Sequence, residues 1–270
     1  MPVRVNSLAS GSSGNATLIQ TGTTQILIDA GIGPRSLATG LRQYGTAPDR
    51  LDAVAVTHEH SDHIRGLGPV VRAGIPLIST AGTASGIDLN VSKRTTIQGS
   101  SSISVGDLTL TALTVSHDAR EPVAYVVEHA DARILLLTDL GQFDDTYLPW
   151  LTTADLIILE SNHDEDLLRR GPYPPHLKRR VASPLGHLSN RVAADALVRA
   201  LRERRSIPTI WLGHLSDTNN RPLLAVQATV AALAGIGRVA PVVALNRGKA
   251  TPGWSSDPER RPAVQAPLFT

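Results

Sequence analysis

The sequence predicts an α/β fold of four layers, an αββα sandwich with two sheets face to face and helices outside. Three observations predict it. Apolar runs of strand length fall in two clusters, between residues 3 and 56 and between residues 108 and 212. Segments with helical spacing interleave with them, which suits two covered sheets better than one doubly wound sheet. The chain has 270 residues, 41% of them apolar, enough to fill a core between two sheets. Aromatics are only 3%, so Val, Ile, Leu and Ala must do most of the packing.

The elements follow in order. Residues 3–8, 16–20 and 25–28 are apolar enough and short enough for strands. Ser10-Gly11-Ser12-Ser13-Gly14-Asn15 joins the first two as a tight hairpin turn, with two glycines free to take positive φ. Its backbone N–H groups could also face an anion. Residues 34–44 suit a helix, with Pro34 in the first turn. Residues 53–56 form an apolar strand that stops at Thr57. Residues 108–115, 122–128, 133–138 and 156–159 supply the later strands. Ser189 or Asn190 can cap a helix whose stripe is Ala193, Ala196, Leu197, Ala200 and Leu201. Residues 209–212 are a late strand, and residues 222–234 a late helix that starts on a proline and stops at Gly235.

Residues 1–248 are expected to be one domain, followed by a loosely ordered tail, 249–270, rich in Pro and charge. There are no cysteines, which excludes a disulfide framework and thiolate metal sites; a metal must sit on His, Asp or Glu. The formal charge of +2 and pI of about 9.2 are too mild to define a partner. No apolar run is long enough to span a bilayer, and the first ten residues lack a signal-peptide pattern. The cytoplasm is the expected compartment. Oligomeric state is left open.

The strongest chemical signal is His58-x-His60-x-Asp62-His63, directly after an apolar strand. A sheet edge can aim such a loop, and imidazole and carboxylate are the ligands metals accept when cysteine is absent. His58 and His60 can point to one side in extended backbone, while Asp62 and His63 lie past the bend and can face a second ion. A solvated polar loop is the plain alternative.

The pattern resembles the metal motif of the metallo-β-lactamase superfamily. Ile26-Leu27-Ile28-Asp29-Ala30-Gly31 is similar to the early strand of that superfamily, whose Asp supports the metal loop from behind. Ser116-His117-Asp118, Leu137-Thr138-Asp139-Leu140-Gly141 and Leu212-Gly213-His214-Leu215-Ser216 resemble its later motifs. The strings Ser7 to Asn15, Glu160-Ser161-Asn162-His163-Asp164, Gly186-His187-Leu188-Ser189-Asn190 and His214 to Asn220 together resemble the bacterial YycJ/WalJ group. That group is single-domain, with nuclease activity attributed to members. The likeness covers residues 3–235.

The resemblance implies two divalent metal ions, zinc or manganese, with iron also suitable. One would sit on His58, His60, His117 and Asp139, the other on Asp62, His63, His214 and Asp139. Two ions about 3.5–4 Å apart acidify the water they share, and that hydroxide would attack a phosphodiester, with Asp62 orienting it. His187 holds the place where phosphodiesterases such as ribonuclease Z keep an extra histidine. General acid is its favoured role, ahead of packing on a helix turn or binding a phosphate at the helix start. Asp29, His163 and Asn220 are placed around the ligands as supports or substrate contacts. For His163 a substrate contact and a hydrogen-bonded structural role weigh equally.

Plain readings remain beside these: a buried structural histidine for His117, a helix cap for Asp139, a surface turn for His214. Arg169, Arg170, Lys178, Arg179 and Arg180, with Tyr173, form either a solvated face or a contact to phosphates. The expected function is a metal-dependent phosphodiesterase, a nuclease acting on DNA or RNA. The alternatives are hydrolysis of a small ester, thioester or lactone, or a non-catalytic nucleic-acid-binding or regulatory protein.

Overall fold

The computed structural model describes residues 1–130, 132–248, 250–251 and 253–260. The first sheet begins with β1 (Arg4–Ala9), β2 (Ala16–Gln20) and β3 (Gln25–Ile28), which pair antiparallel. It continues in parallel with β4 (Ala53–Ala55), β5 (Leu77–Ser79) and β6 (Arg94–Thr96). The second sheet repeats this plan. β7 (Ser102–Val105), β8 (Leu108–Thr114), β9 (Val123–His129) and β10 (Ala132–Leu137) pair antiparallel. β11 (Leu156–Glu160), β12 (Thr209–Gly213) and β13 (Val242–Ala244) extend it in parallel. β14 (Trp254–Ser255) returns to the first sheet beside β1.

Alternation of side chains along the strands makes the layers. Ile26, Ile28, Ala53 and Ala55 face Ile134, Leu136, Leu156, Ile158 and Trp211 in the core between the sheets. The intervening residues point outward. Leu27 and Val54 pack with Leu37 and Leu41 of α1 (Pro34–Gln43), next to two short helices, α2 (Ser61–Ile64) and α3 (Leu67–Arg72). A further turn, α4 (Ala81–Ser85), follows β5. On the other side Leu135, Leu137, Ile157, Leu159, Ile210 and Leu212 meet the outer helices. These are α5 (Leu148–Thr153), then α6 (Glu165–Arg170) and α7 (Pro175–Val181) nearer the strand ends, then α8 (Asn190–Leu201) and α9 (Pro222–Ala234). The αββα sandwich is as expected.

Ser189 caps α8, its hydroxyl accepting from the Val192 amide at 3.3 Å, and the stripe Ala193 to Leu201 is buried. At the end of α9, Gly235 stays right-handed and Gly237 supplies the left-handed residue, at φ 69°.

The expected boundary at residue 248 does not hold. Trp254 is 3% exposed, sits in the core between the sheets, pairs with Val5, and donates its indole N–H to Thr209 Oγ1 at 3.2 Å. In a chain so poor in aromatics, one large ring among prolines fills core volume that the tail's composition hides. The rest of the expected tail, residues 261–270, lies outside the described residues. No helix among the described residues is long and apolar enough to cross a membrane.

Candidate metal centre

Because β3 and β4 run parallel, and β8, β10, β11 and β12 run parallel in the facing sheet, their carboxyl ends share one edge. Ligands of open α/β sheets gather at such an edge. Asp29 follows β3, the run from Thr57 to His63 follows β4, and His117 follows β8. Asp139 follows β10, Glu160 closes β11, and His214 follows β12. Three of these leave their strands through a left-handed residue: Asp29 at φ 59°, Asp139 at φ 58° and His214 at φ 54°. The left-handed turn swings the side chain off the pleat and over the sheet end. Asp and His are among the non-glycine types that tolerate this region best.

The geometry gathers all seven residues expected as ligands. His58, His60 and His117 offer nitrogens within 4.8 Å of one another, and so do Asp62, His63 and His214 through an oxygen and two nitrogens. Asp139 lies between the groups. Its Oδ1 is 3.3 Å from His214 Nε2 and 3.9 Å from His117 Nε2, and its Oδ2 is 3.4 Å from His63 Nε2. His58 Nε2 and Asp139 Oδ2 are buried without a hydrogen-bond partner. Orphaned buried polar atoms are costly, and these two point into a nest of metal-type donors. The donor set fits divalent ions without thiolates.

Two carboxylates outside the donor set wire it from behind. Asp29 accepts from His63 Nδ1 at 2.7 Å and from the Thr57 amide and hydroxyl at 2.8 and 2.9 Å. This leaves His63 Nε2 for the centre. Glu160, fully buried, does the same for two histidines. His214 Nδ1 lies 2.9 Å and His187 Nδ1 2.8 Å from its Oε1, while the amides of Leu140 and Leu188 donate to Oε2, both at 3.1 Å. Asp139, Glu160, His187 and His214 also lie within 4.8 Å of one another. With four donors already on Glu160, that group is an orienting clamp and not a third ion site. Sequence reasoning gave Glu160 no role. Its signal was present: a carboxylate closing the apolar run of residues 156–159 has to find donors.

Charges follow the wiring. Burial pulls His63 down, but Asp29 and Asp139 outweigh it and push the ring up to about 9. Burial likewise opposes His214, yet Asp139, Asp62 and Glu160 hold it well above the usual histidine range. Burial and the neighbouring His63 push His58 well down, and burial lowers His117 against the pull of Asp139. Burial raises Asp62 and Glu160, but the histidines beside each hold both below the usual carboxylate range.

His187 is 5.1 Å, ring to ring, from both His117 and His214, and 18% of its side chain is exposed. It lines a cavity of about 270 Å³ with Asp62, Asp139, His214, Tyr173 and Arg180. Arg180 also donates to Asp118 at 2.7 Å. The basic cluster is therefore divided: Tyr173 and Arg180 reach this cavity and Arg170 does not. The Ser10 to Asn15 turn is a hairpin, and it also packs on the metal loop. The Asn15 amide donates to the Asp62 carbonyl at 2.8 Å, and Asn15 Nδ2 lies 3.1 Å from His63 Nε2. Gly31 makes this approach feasible, since a Cβ there would sit 1.5 Å from the same carbonyl oxygen. Asn220 is fully buried and out of reach of substrate. Its Nδ2 donates to the carbonyls of Ser161 and Asn162 at 2.8 and 3.0 Å and to Asn190 Oδ1 at 2.8 Å, pinning the loop after β11 to the start of α8. His163 is 3% exposed, and its Nδ1 has no partner.

An αββα sandwich carrying His and Asp donors on one shared edge defines a class, the metallo-β-lactamase fold. The chain belongs to that superfamily: residues 24–211 match the model of the β-lactamase superfamily domain. It is 37% identical over 235 residues to exodeoxyribonuclease WalJ of Streptococcus pneumoniae, covering 84% of this chain and 87% of that protein. It is 33% identical over 231 residues to exodeoxyribonuclease YycJ of Bacillus anthracis, covering 83% and 87%. The crystal structure of YhfI from Bacillus subtilis superimposes with a TM-score of 0.71 at 20% identity, over 94% of this chain and 99% of that one.

Proposed function

We propose that the protein is a metal-dependent nuclease that hydrolyses phosphodiesters of DNA. The observation that carries this reading is His187, held by Glu160 at the wall of the cavity that also contains Asp62, Asp139 and Arg180. A small ester or lactone needs neither a positioned proton donor nor a cation there. A phosphodiester with a poor leaving oxygen needs both. The similarity to two proteins named as exodeoxyribonucleases supports DNA as the first substrate to try.

His58, His60 and His117 would hold one divalent ion, and Asp62, His63 and His214 another, with Asp139 shared. Zinc, manganese and iron all suit these donors. When bound, such ions polarise phosphoryl oxygens and acidify water. The chain supplies the rest. Asp29 and Glu160 fix the ring faces of His63 and His214. Arg180 offers a guanidinium to a non-bridging phosphate oxygen. With Nδ1 donating to Glu160, a protonated His187 presents Nε2–H to the leaving ribose oxygen.

The test is hydrolysis of end-labelled DNA and RNA by protein stripped of metal and reloaded with zinc, manganese or iron. Metal-restored cleavage of DNA is expected. Turnover of small esters with no cleavage of either polymer under any metal would overturn the reading.

A further inference from the structure

Beside the metal centre, on the other side of α7, lies a second cavity of about 520 Å³. His187 lines both cavities, and α7 divides them: Leu177, Arg180 and Val181 face the metal centre, Lys178 and Arg179 the second cavity. Arg169 of α6 and Arg191 of α8 complete its basic lining, against one carboxylate, Glu165. That carboxylate is already engaged, by Arg191 at 3.1 Å and by the Ser189 hydroxyl at 2.9 Å. Arg169 pairs with Asp166, Arg191 pairs also with Asp195 at 3.3 Å, and Lys178 donates to the Arg169 carbonyl at 2.7 Å, so Lys178 and Arg179 carry the unneutralised charge. Arg179 makes no ion pair among the described residues. The cavity thus has positive charge in excess.

Two further features point to an anion. The start of the 12-residue helix α8 opens here, with Ser189, Arg191 and Val192 on the wall, so its positive dipole end adds to the cations. The buried ring of His163 also lines the cavity, and its Nδ1 has no partner. Neither the metal donors nor the Glu160 clamp uses this nitrogen. A buried ring nitrogen left unpaired is costly; it is enclosed in the wall, and a small shift of that wall would let a phosphate oxygen accept from its N–H.

We propose that this cavity is a phosphate subsite, which takes the phosphate next to the scissile one on the side of the leaving nucleotide. The side follows from His187. A group that protonates the leaving oxygen stands between the scissile phosphate and the departing nucleotide, and the second cavity is what lies beyond it. The volume falls in the range of sites that enclose a nucleotide-sized ligand. The proposal rests on the nuclease reading for the identity of the ligand, and its test does not depend on turnover.

Thymidine 3′,5′-bisphosphate carries two phosphates spaced as neighbours in a strand and has no diester to hydrolyse. Its binding to the metal-loaded protein is compared by calorimetry with that of the 3′- and 5′-monophosphates. A second phosphate held by charge-assisted hydrogen bonds predicts about 10- to 100-fold tighter binding of the bisphosphate than of the better monophosphate. The double variant Lys178→Gln/Arg179→Gln should lose most of that advantage. Arg170→Ala, on α6 but lining neither cavity, should keep it. Equal affinities in the parent protein, or an advantage untouched by the double variant, would overturn the subsite. A protein that shows the advantage yet cleaves no diester would keep the subsite and lose the nuclease reading.

Discussion

Asp29 and Glu160 are two buried carboxylates doing one job at opposite sheets. Asp29 holds a single histidine, His63, and ties it to Thr57 of the same loop. Glu160 holds two, His214 of the donor set and His187 outside it. The first clamp serves the metal loop alone. The second joins the candidate metal centre to His187, the proposed proton donor, through one oxygen. A change at residue 29 should therefore touch one property, and a change at residue 160 two.

The largest effect is expected for Glu160→Gln. Loss of the clamp should weaken metal binding by roughly 10- to 100-fold and slow diesters with poor leaving groups by a further ~10² to 10⁴. Metal titration and saturating-metal kinetics separate the two losses; if only one appears, the clamps are equivalent. Next comes His187→Ala. It should retain its metals and lose ~10² to 10⁴ in rate on a dinucleotide, but much less on a nitrophenyl diester, whose leaving group needs little protonation. Equal losses on both substrates would make His187 a positioning residue, and metal loss would make it a ligand. Asp29→Asn should cost metal affinity, roughly 10- to 100-fold, and leave the ratio of the two substrates unchanged.

The smallest effect is on the metal-free protein. Asp29, with Asp139 behind it, raises the His63 ring to about 9 from an ordinary 6.5. Its contribution is fully present below pH 6.5 and is lost as pH rises through about 9. His214, also raised, acts in the same direction. His58, His117 and His163, all lowered, titrate below this window. Thermal unfolding of metal-free protein should therefore shift to lower temperature between pH 6.5 and 9, and Asp29→Asn should flatten the slope. A midpoint that rises across that range would contradict the pairing.

The same contrast explains what the sequence discloses. The loop that Asp29 holds is compact in sequence, so one motif suffices to find it, while Asp29 itself, 34 residues before His63, is legible only through the resemblance of its strand to the superfamily's early motif. Glu160, His187 and His214 meet only because β11, the start of α8 and β12 are neighbours in space. No local pattern marks a residue that serves two distant histidines. The long strands are legible for the same reason as the core, since their apolar runs exceed any turn. The three-residue strands β5, β6 and β13 are too short for a period and, unlike the equally short β4, run into no histidine motif that marks their end; the fully exposed β6 also has no apolar face to read. The short helices α6 and α7 hide in a basic, proline-rich stretch, where charge alone left a solvated face and a phosphate contact as equals.

The left-handed backbone at Asp29, Asp139 and His214 narrows what these positions can become over generations. Most replacements must carry both the wrong chemistry and a backbone cost of about 1–2 kcal/mol. Glycine or asparagine would ease the chain at residue 139, but neither brings a negative charge. Drift at these three sites therefore has few gentle intermediate steps. A lineage that abandons the metals should shed these residues abruptly, most often for glycine or asparagine, and a descendant would show its lost chemistry in those substitutions before the sandwich itself changed.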